Sequence, residues 1–128
     1  KPELVITSRS RQSIGLQIWF YGTLIRWISK LWLGSTFTYV LSIRKKHTLT
    51  TSGPYAIVRN PGYLGQILFM FGDAIYFNSY ILYGISLFFT RGLIQRIPTE
   101  EKILQDEFKE EWDEYAKTTT SKLIPFIY

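Results

Sequence analysis

From residue 61 to residue 94 the chain carries only two charged side chains. An apolar run of this length must bury its surface in a protein core or in lipid. The dipeptide Asn78-Ser79 lies near its middle, and both residue types favour turns. We therefore predict a helical hairpin over residues 62–95, with two tilted helices of about 16 residues each. A single long span that starts near Ala74 is the alternative.

A second apolar segment covers residues 14–43 and is interrupted by Arg26 and Lys30. Neither of its uncharged parts reaches the roughly 20 residues that a helix needs to cross a bilayer. The segment is predicted to form membrane or interfacial helices. It is either one long helix whose two cations reach towards water, or two shorter helices bent near Gly34. The polar residues 1–13 are predicted to be a loop or an interfacial tail.

The formal net charge of +5 hides an uneven distribution of charge. The first 98 residues hold eleven Lys and Arg against two acids, whereas residues 99–128 hold four against eight acids. Basic residues beside apolar runs are typical of membrane anchors that face the cytosol, and they are not clustered as on a nucleic-acid-binding helix. The chain has no cysteine, which excludes disulfides, thiol catalysis and zinc–thiolate sites.

The two apolar segments are joined by a polar loop, residues 44–61, which contains one histidine, two arginines and one glycine. Irregular backbone beside membrane-like sequence is tolerated only where it lines a cavity or lies at the surface. The loop is therefore a candidate site. At its end Asn60 is predicted to cap a helix that has Pro61 in its first position.

The acidic part of the chain, residues 99–128, is predicted to be a cytosolic helix followed by a tail. Thr99 is a suitable cap for this helix, and Glu100 and Glu101 would follow in its first turn, where acids suit the helix dipole. Four apolar residues then recur at helical spacing and would form one stripe that docks onto the rest of the protein. They are Leu104, Phe108, Trp112 and Tyr115.

The loop and the acidic helix together resemble the isoprenylcysteine carboxyl methyltransferases. Their pattern is matched in the first part by His47, Leu49, Gly53, Tyr55, Arg59, Asn60, Pro61, Tyr63 and Gly65. It is matched in the second part by Glu100, Glu101, Leu104, Phe108, Trp112, Tyr115 and Pro125. The resemblance covers roughly residues 31–128. The chain departs from the family at Asn60 (His in the family), Lys109 (Gly) and Trp112 (Tyr).

This resemblance implies an all-α, integral-membrane helical bundle that uses S-adenosyl-L-methionine. No strand-linked glycine motif is present, so a Rossmann domain is not expected. Residues 1–128 would form a single domain that lacks N-terminal spans, in the endoplasmic reticulum membrane, with the site facing the cytosol. The methyl acceptor would be the carboxylate of a C-terminal prenylated cysteine. Alternatives are a methyltransferase for phospholipid amines or small isoprenoid acids, and a catalytically decayed, non-enzymatic paralogue.

The resemblance also assigns roles to individual residues. Arg59 would hold a carboxylate of the substrate or the cofactor in a bidentate contact, and Glu100 or Glu101 would bind the cofactor's ammonium or face its cationic sulfur. These three residues are the predicted catalytic groups. The predicted cofactor-binding residues are His47, Leu49, Gly53, Tyr55, Asn60, Pro61, Tyr63, Gly65 and Glu101. No metal site is predicted.

Overall fold

The computed structural model describes residues 2–33, 49, 51–125 and 128 of the chain. Within these residues all regular secondary structure is helical, with no β-strand, so the all-α prediction is confirmed. The elements are α1 (Pro2–Leu33), a short 3-10 helix (Gly53–Ala56), α2 (Pro61–Phe77), α3 (Tyr80–Phe108) and α4 (Glu110–Thr118).

Helices α1 and α2 pack antiparallel through four glycines. Gly15 and Gly22 lie seven residues apart on α1, and Gly65 and Gly72 lie seven residues apart on α2, so that each pair shares one helix face. A Cβ atom on any of the four would lie only 2.5–2.6 Å from a backbone atom of the other helix. The two backbones therefore approach closely along two turns of each helix, as small residues allow in membrane helix pairs.

The turn between α2 and α3 consists of Asn78 and Ser79. Asn78 adopts the left-handed conformation, with φ of 50°, and ends α2. Asparagine tolerates this conformation better than most residues. The Ser79 hydroxyl caps α3 by accepting a hydrogen bond from the backbone N–H of Leu82 at 3.2 Å. Helix α2 begins at Pro61, as predicted, and α3 runs well beyond residue 95.

The predicted helix start at Thr99 is wrong, because Thr99 lies inside α3. Leu93, Ile97 and Glu100 are buried at helical spacing on one face of α3, and this packing keeps the helix continuous across the exposed Pro98. The predicted single stripe from Leu104 to Tyr115 is also divided between two helices. Helix α3 ends at Phe108. Lys109, whose φ is 50°, separates it from α4.

The prediction of a loop over residues 1–13 is wrong as well, because α1 begins at Pro2. Arg11 shows why polar residues suit a helix here: its Nη1 donates to the carbonyl of Ile75 at 3.3 Å, at the C-terminal end of α2. The predicted bend near Gly34 lies outside the described residues. Of the helices described, none is both long enough and apolar enough to cross a membrane.

Candidate active site

The segment that leads into α2 is held by the C-terminal segment of the chain. The backbone N–H of Arg59 donates to the carbonyl of Ser121 at 2.9 Å, and that of Asn60 donates to the carbonyl of Lys122 at 3.0 Å. Leu123, which follows, is buried. Two consecutive backbone hydrogen bonds therefore fix the direction in which the Arg59 side chain leaves the chain.

Arg59 is paired with an acid of the predicted set. Its Nε lies 3.1 Å from Oε2 of Glu101, and the two side chains are only 9% and 13% exposed. The Nε–H is not directed at that oxygen, and within the described residues this buried nitrogen has no hydrogen-bond partner. The guanidinium carbon also lies 5.7 Å from the centre of the Trp112 ring, which is a cation–π distance.

The neighbouring acid, Glu100, has a different pair of partners. The hydroxyl of Tyr63 donates to its Oε1 at 2.5 Å, and Nη2 of Arg96 lies 3.0 Å from the same oxygen. Glu100 is buried, whereas the Arg96 side chain is 54% exposed. A buried carboxylate needs such partners to remain charged. The two consecutive acids are thus fixed separately, one by Arg59 and one by Tyr63.

Asn60 links the tail to this acid pair. Its Nδ2 donates to the carbonyl of Lys122 at 2.9 Å and lies 3.5 Å from Oε2 of Glu101. The prediction that the Asn60 side chain caps α2 is wrong, since it makes no cap hydrogen bond. The tail carbonyl of Lys122 holds the Asn60 amide instead, and the cap position contributes its backbone carbonyl, which accepts from the N–H of Leu64 at 3.2 Å.

Two buried tyrosines connect the 3-10 helix to the rest of the protein. The Tyr115 hydroxyl donates to the carbonyl of Tyr55 at 2.7 Å, and the Tyr55 hydroxyl lies 3.5 Å from the carbonyl of Ser29. Burial raises the pKa of Tyr55 to about 12. Burial also raises the pKa of Tyr115, although the nearby Arg59 opposes the shift. Both phenols are therefore neutral at physiological pH and act as hydrogen-bond donors.

The structure does not bring every predicted cofactor-binding residue to the acid pair. Gly53 lies against Trp32, where a Cβ atom would overlap the indole ring, and its φ is 63°. Gly65 faces the backbone of Gly22 in the α1–α2 contact. Pro61 is buried at the start of α2, and Leu49 is half-buried. His47 lies outside the described residues.

Sequence reasoning did not identify three groups that contact the predicted residues. They are the Arg96 guanidinium, the Trp112 ring and the Lys122 carbonyl. The spacing of Arg96 and Glu100, four residues apart on one helix, is a signal that could have revealed the first. The family pattern includes position 112 but gives no indication that its ring faces Arg59. A backbone carbonyl leaves no signal in the sequence.

The cluster places a guanidinium, two carboxylates and a neutral phenol within one partly buried region. Such a set can bind a zwitterionic ligand, because it offers both signs of charge with fixed geometry. In the part of the chain that the structure describes, no group of three or more His, Asp or Glu residues could hold a metal ion.

Comparison with known proteins identifies the family. The model of the isoprenylcysteine carboxyl methyltransferase family matches residues 14–106. The chain belongs to this family. The match includes both the loop with Arg59 and the helix with Glu100 and Glu101. No solved structure matches the chain.

Several relatives of known name are similar over most of the chain. A protein of Oryza sativa subsp. indica named "Probable protein-S-isoprenylcysteine O-methyltransferase" is 34% identical over 117 residues, which are 89% of this chain and 61% of that protein. The protein-S-isoprenylcysteine O-methyltransferases of Xenopus laevis and Homo sapiens are each 35% identical over 117 residues. These residues are 89% and 88% of this chain, respectively, and 40% of each relative. The chain thus spans about two-fifths to three-fifths of the length of these relatives.

Proposed function

We propose that this chain carries the methyl-transfer site of a protein-S-isoprenylcysteine carboxyl O-methyltransferase that uses S-adenosyl-L-methionine. The observation that carries the proposal is the meeting of two distant segments. Arg59 and Tyr63, at the start of α2, contact Glu101 and Glu100 on α3, about 40 residues later in the chain. The names of the family and of its relatives give the reaction and the acceptor.

The residues present fit S-adenosyl-L-methionine. This cofactor has a carboxylate, an ammonium and a cationic sulfur, and the cluster offers a guanidinium for the first and two carboxylates for the others. The buried Nε of Arg59, which lacks a hydrogen-bond partner among the described residues, is an available donor. When bound, the cofactor would supply an electrophilic methyl group on a positively charged sulfur.

In this reaction the protein needs only to align the two reactants and to shield them from water. The carboxylate of a prenylated cysteine is already ionised at neutral pH, so no general base is required. Glu101 holds Arg59 in place, and Tyr63 and Arg96 hold Glu100. Fixed charges of this kind lower the reorganisation that binding and reaction demand.

We further propose that the site works at the cytosolic face of the endoplasmic reticulum membrane. The first half of α3 supports a lipid-facing role, since it exposes large apolar side chains such as Ile81 (75% exposed) and Phe88 (74% exposed). A prenylated protein C-terminus would reach the site along this apolar surface. Acceptors such as phospholipid amines or small isoprenoid acids are not favoured by the names of the relatives.

Calorimetric titration of S-adenosylhomocysteine into the purified chain in detergent tests whether the site binds this cofactor. We expect saturable binding that Glu101→Gln weakens at least about tenfold, because a charged partner is lost. Glu107→Gln, an exposed acid on the same helix, is the matched control and should bind as the parent does. A folded, helical sample that gives no heat would refute the cofactor assignment.

Transfer of a labelled methyl group to N-acetyl-S-farnesylcysteine tests the reaction. The parent should form the methyl ester, and phosphatidylethanolamine should not compete as an acceptor. An Arg59→Ala variant that reacts at the parent rate would remove Arg59 from the mechanism.

A further inference from the structure

Arg59 is held by contacts with three parts of the chain, and one of them is α4. Its backbone N–H donates to the carbonyl of Ser121 at 2.9 Å, which fixes where the side chain begins. Its Nε lies 3.1 Å from Oε2 of Glu101 on α3. The third contact is with the indole ring of Trp112, because the guanidinium carbon lies over this ring, 5.7 Å from its centre. Trp112 therefore links α4 to Arg59.

The ion pair with Glu101 does not by itself orient the guanidinium of Arg59. The Nε–H is not directed at the carboxylate oxygen, and this buried nitrogen has no hydrogen-bond partner among the described residues. A bidentate contact would define the guanidinium plane, whereas a charge contact without an aligned hydrogen bond fixes only a distance. The ring of Trp112 supplies a restraint on orientation, because a cation is attracted to the face of an aromatic ring and not to its edge.

The Trp112 ring is itself held in place. It is 6% exposed and makes an edge-on contact with Tyr115, with ring centres 5.4 Å apart and an angle of 66° between the rings. The Tyr115 hydroxyl donates to the carbonyl of Tyr55 at 2.7 Å. Just after α4 ends, the hydroxyl of Thr119 donates to the carbonyl of Ala56 at 3.2 Å. These two hydrogen bonds attach α4 to the 3-10 helix and so fix the ring relative to Arg59.

The change of direction at Lys109 lets α3 and α4 meet at one guanidinium. Glu101 and Trp112 are eleven residues apart, and in a continuous helix they would be separated by about 16 Å along the axis. Both nevertheless contact Arg59. The positive φ of Lys109, 50°, ends α3 and starts α4 in a new direction. The position of the ring thus depends on how α4 is docked, and not on α3 alone.

An aromatic ring suits this task better than a second carboxylate would. A carboxylate binds a guanidinium through its N–H groups, which lie in the guanidinium plane, and so occupies donors that a ligand could use. A ring attracts the cation through its π face and takes none of these donors. Tryptophan is the most effective of the three aromatic side chains in such contacts. Arg59 is thus restrained by Trp112 while it stays available to an anionic ligand.

We propose that Trp112 is a positioning residue, which orients Arg59 towards the carboxylate of S-adenosyl-L-methionine through a cation–π contact. The role rests on the proposed function, in which Arg59 binds that carboxylate. Trp112 acts through Arg59 and does not itself touch the cofactor. It therefore increases affinity for the amino-acid part of the cofactor and leaves affinity for the adenosine part unchanged.

Two ligands separate a positioning role from a role in packing. S-adenosylhomocysteine carries the carboxylate, whereas 5′-methylthioadenosine has the same nucleoside and thioether but lacks the amino-acid part. Binding of each ligand to the purified chain in detergent is measured by calorimetry. Trp112→Leu should weaken binding of S-adenosylhomocysteine about fivefold and change binding of 5′-methylthioadenosine less than about twofold. Trp112→Phe keeps an aromatic face and should restore most of the lost affinity.

An Arg59→Met background tests whether Trp112 acts through Arg59. There Trp112→Leu should cost no further affinity for S-adenosylhomocysteine, because the cation that the ring orients is absent. A further loss of about fivefold in this background would overturn the proposal. Trp19→Leu is the matched control, since it removes the ring contact between Trp19 on α1 and Phe69, whose centres are 5.8 Å apart. It should bind both ligands as the parent does.

A fluorinated ring keeps the test decisive if Trp112→Leu does not fold. Tetrafluorotryptophan at position 112 has nearly the shape of tryptophan, but its fluorines withdraw the electrons that attract the cation. It should weaken S-adenosylhomocysteine about fivefold and leave 5′-methylthioadenosine unchanged. A fluorinated protein that binds S-adenosylhomocysteine as the parent does would overturn the proposal. So would a helical Trp112→Leu protein that loses affinity for both ligands equally.

Turnover distinguishes the role of Trp112 from the proposed function. With the labelled methyl donor, Trp112→Leu should raise KM for S-adenosyl-L-methionine about fivefold and change kcat less than about twofold, because the carboxylate is remote from the methyl group that is transferred. If the parent transfers methyl groups and Trp112→Leu leaves this KM unchanged, the proposed function stands and the role of Trp112 is wrong. If cofactor affinity depends on Trp112 through Arg59 but no methyl ester forms, the role of Trp112 stands and the proposed reaction fails.

Discussion

Substitution of Gly22 by alanine tests the close contact between α1 and α2. The new Cβ atom would lie 2.5 Å from the backbone nitrogen of Phe69 and 2.7 Å from the carbonyl oxygen of Gly65. Both are backbone atoms, so neither can rotate away as a flexible side chain could. The two helices must therefore separate by up to about 1 Å to reach ordinary contact distances.

The expected cost follows from two opposing effects. Overpacking of a closely fitted interface costs about 1–3 kcal/mol, and separated helices also lose part of their dispersion contacts. Alanine recovers about 0.8–1 kcal/mol through its higher helix propensity. We expect Gly22→Ala to lower the free energy of unfolding by about 1–2 kcal/mol on balance.

Gly84→Ala is the matched control. Gly84 also lies inside a helix, but a Cβ atom there would meet nothing within 4 Å. Only the propensity effect remains, so Gly84→Ala should raise stability by about 0.8–1 kcal/mol. Thermal unfolding of both variants in one detergent, followed by circular dichroism, should place their midpoints roughly 6–15 °C apart. A Gly22→Ala protein as stable as Gly84→Ala would refute the close backbone contact.

Three further predictions concern the site and its supports. Lys109→Gly should raise stability by about 1–2 kcal/mol in denaturant titrations, because φ of 50° and ψ of −114° strain a lysine but not a glycine. The contribution of Tyr55 to stability should be fully present below about pH 10 and be lost between pH 10 and 12, because its neutral form is favoured in the folded state, where its pKa is about 12; Tyr55→Phe should reduce the alkaline loss of stability measured in denaturant titrations. Asn60→Asp should lower the free energy of unfolding by about 1–3 kcal/mol, since it removes one of the two N–H donors to the Lys122 carbonyl and adds a charge near Glu101, whereas Asn60→His should lower it less; equal losses of stability in chemical denaturation would contradict this account.

Much of the helical pattern could be predicted from local sequence. The start of α2 at Pro61 and the turn at Asn78 both follow from residues whose backbone preferences are strong. The continuation of α3 through Thr99 could not be predicted in this way. There the buried positions Ile97 and Glu100 outweigh two local signals for a new helix, the proline and the threonine cap.

The break at Lys109 shows how a family pattern can carry information that local reasoning misses. The family has glycine at this position, and the positive φ explains why. Apolar spacing alone predicted one uninterrupted stripe. Leu104, Phe108 and Trp112 keep a helical spacing in the sequence, and this spacing does not show that the backbone changes direction between them. The contact made by the glycine face of α1 could not be predicted from sequence either. The seven-residue spacing of its glycines is visible, but the α2 face that it contacts lies about 50 residues away in the chain.

Asn60 is, with Trp112, one of two positions where the chain departs from its family within the site, and the contacts of Asn60 indicate what a side chain must do there. The Asn60 amide donates to a tail carbonyl and lies beside the acid that pairs with Arg59. Both contacts use N–H donors, and neither requires a titratable group. A histidine nitrogen bearing hydrogen could serve one of them, which is consistent with its presence in relatives. Since an ionised carboxylate acceptor needs no general base, a neutral donor at position 60 is compatible with methyl transfer. The departure from the family therefore changes how the tail is attached to the site more than it changes the chemistry that the site can support.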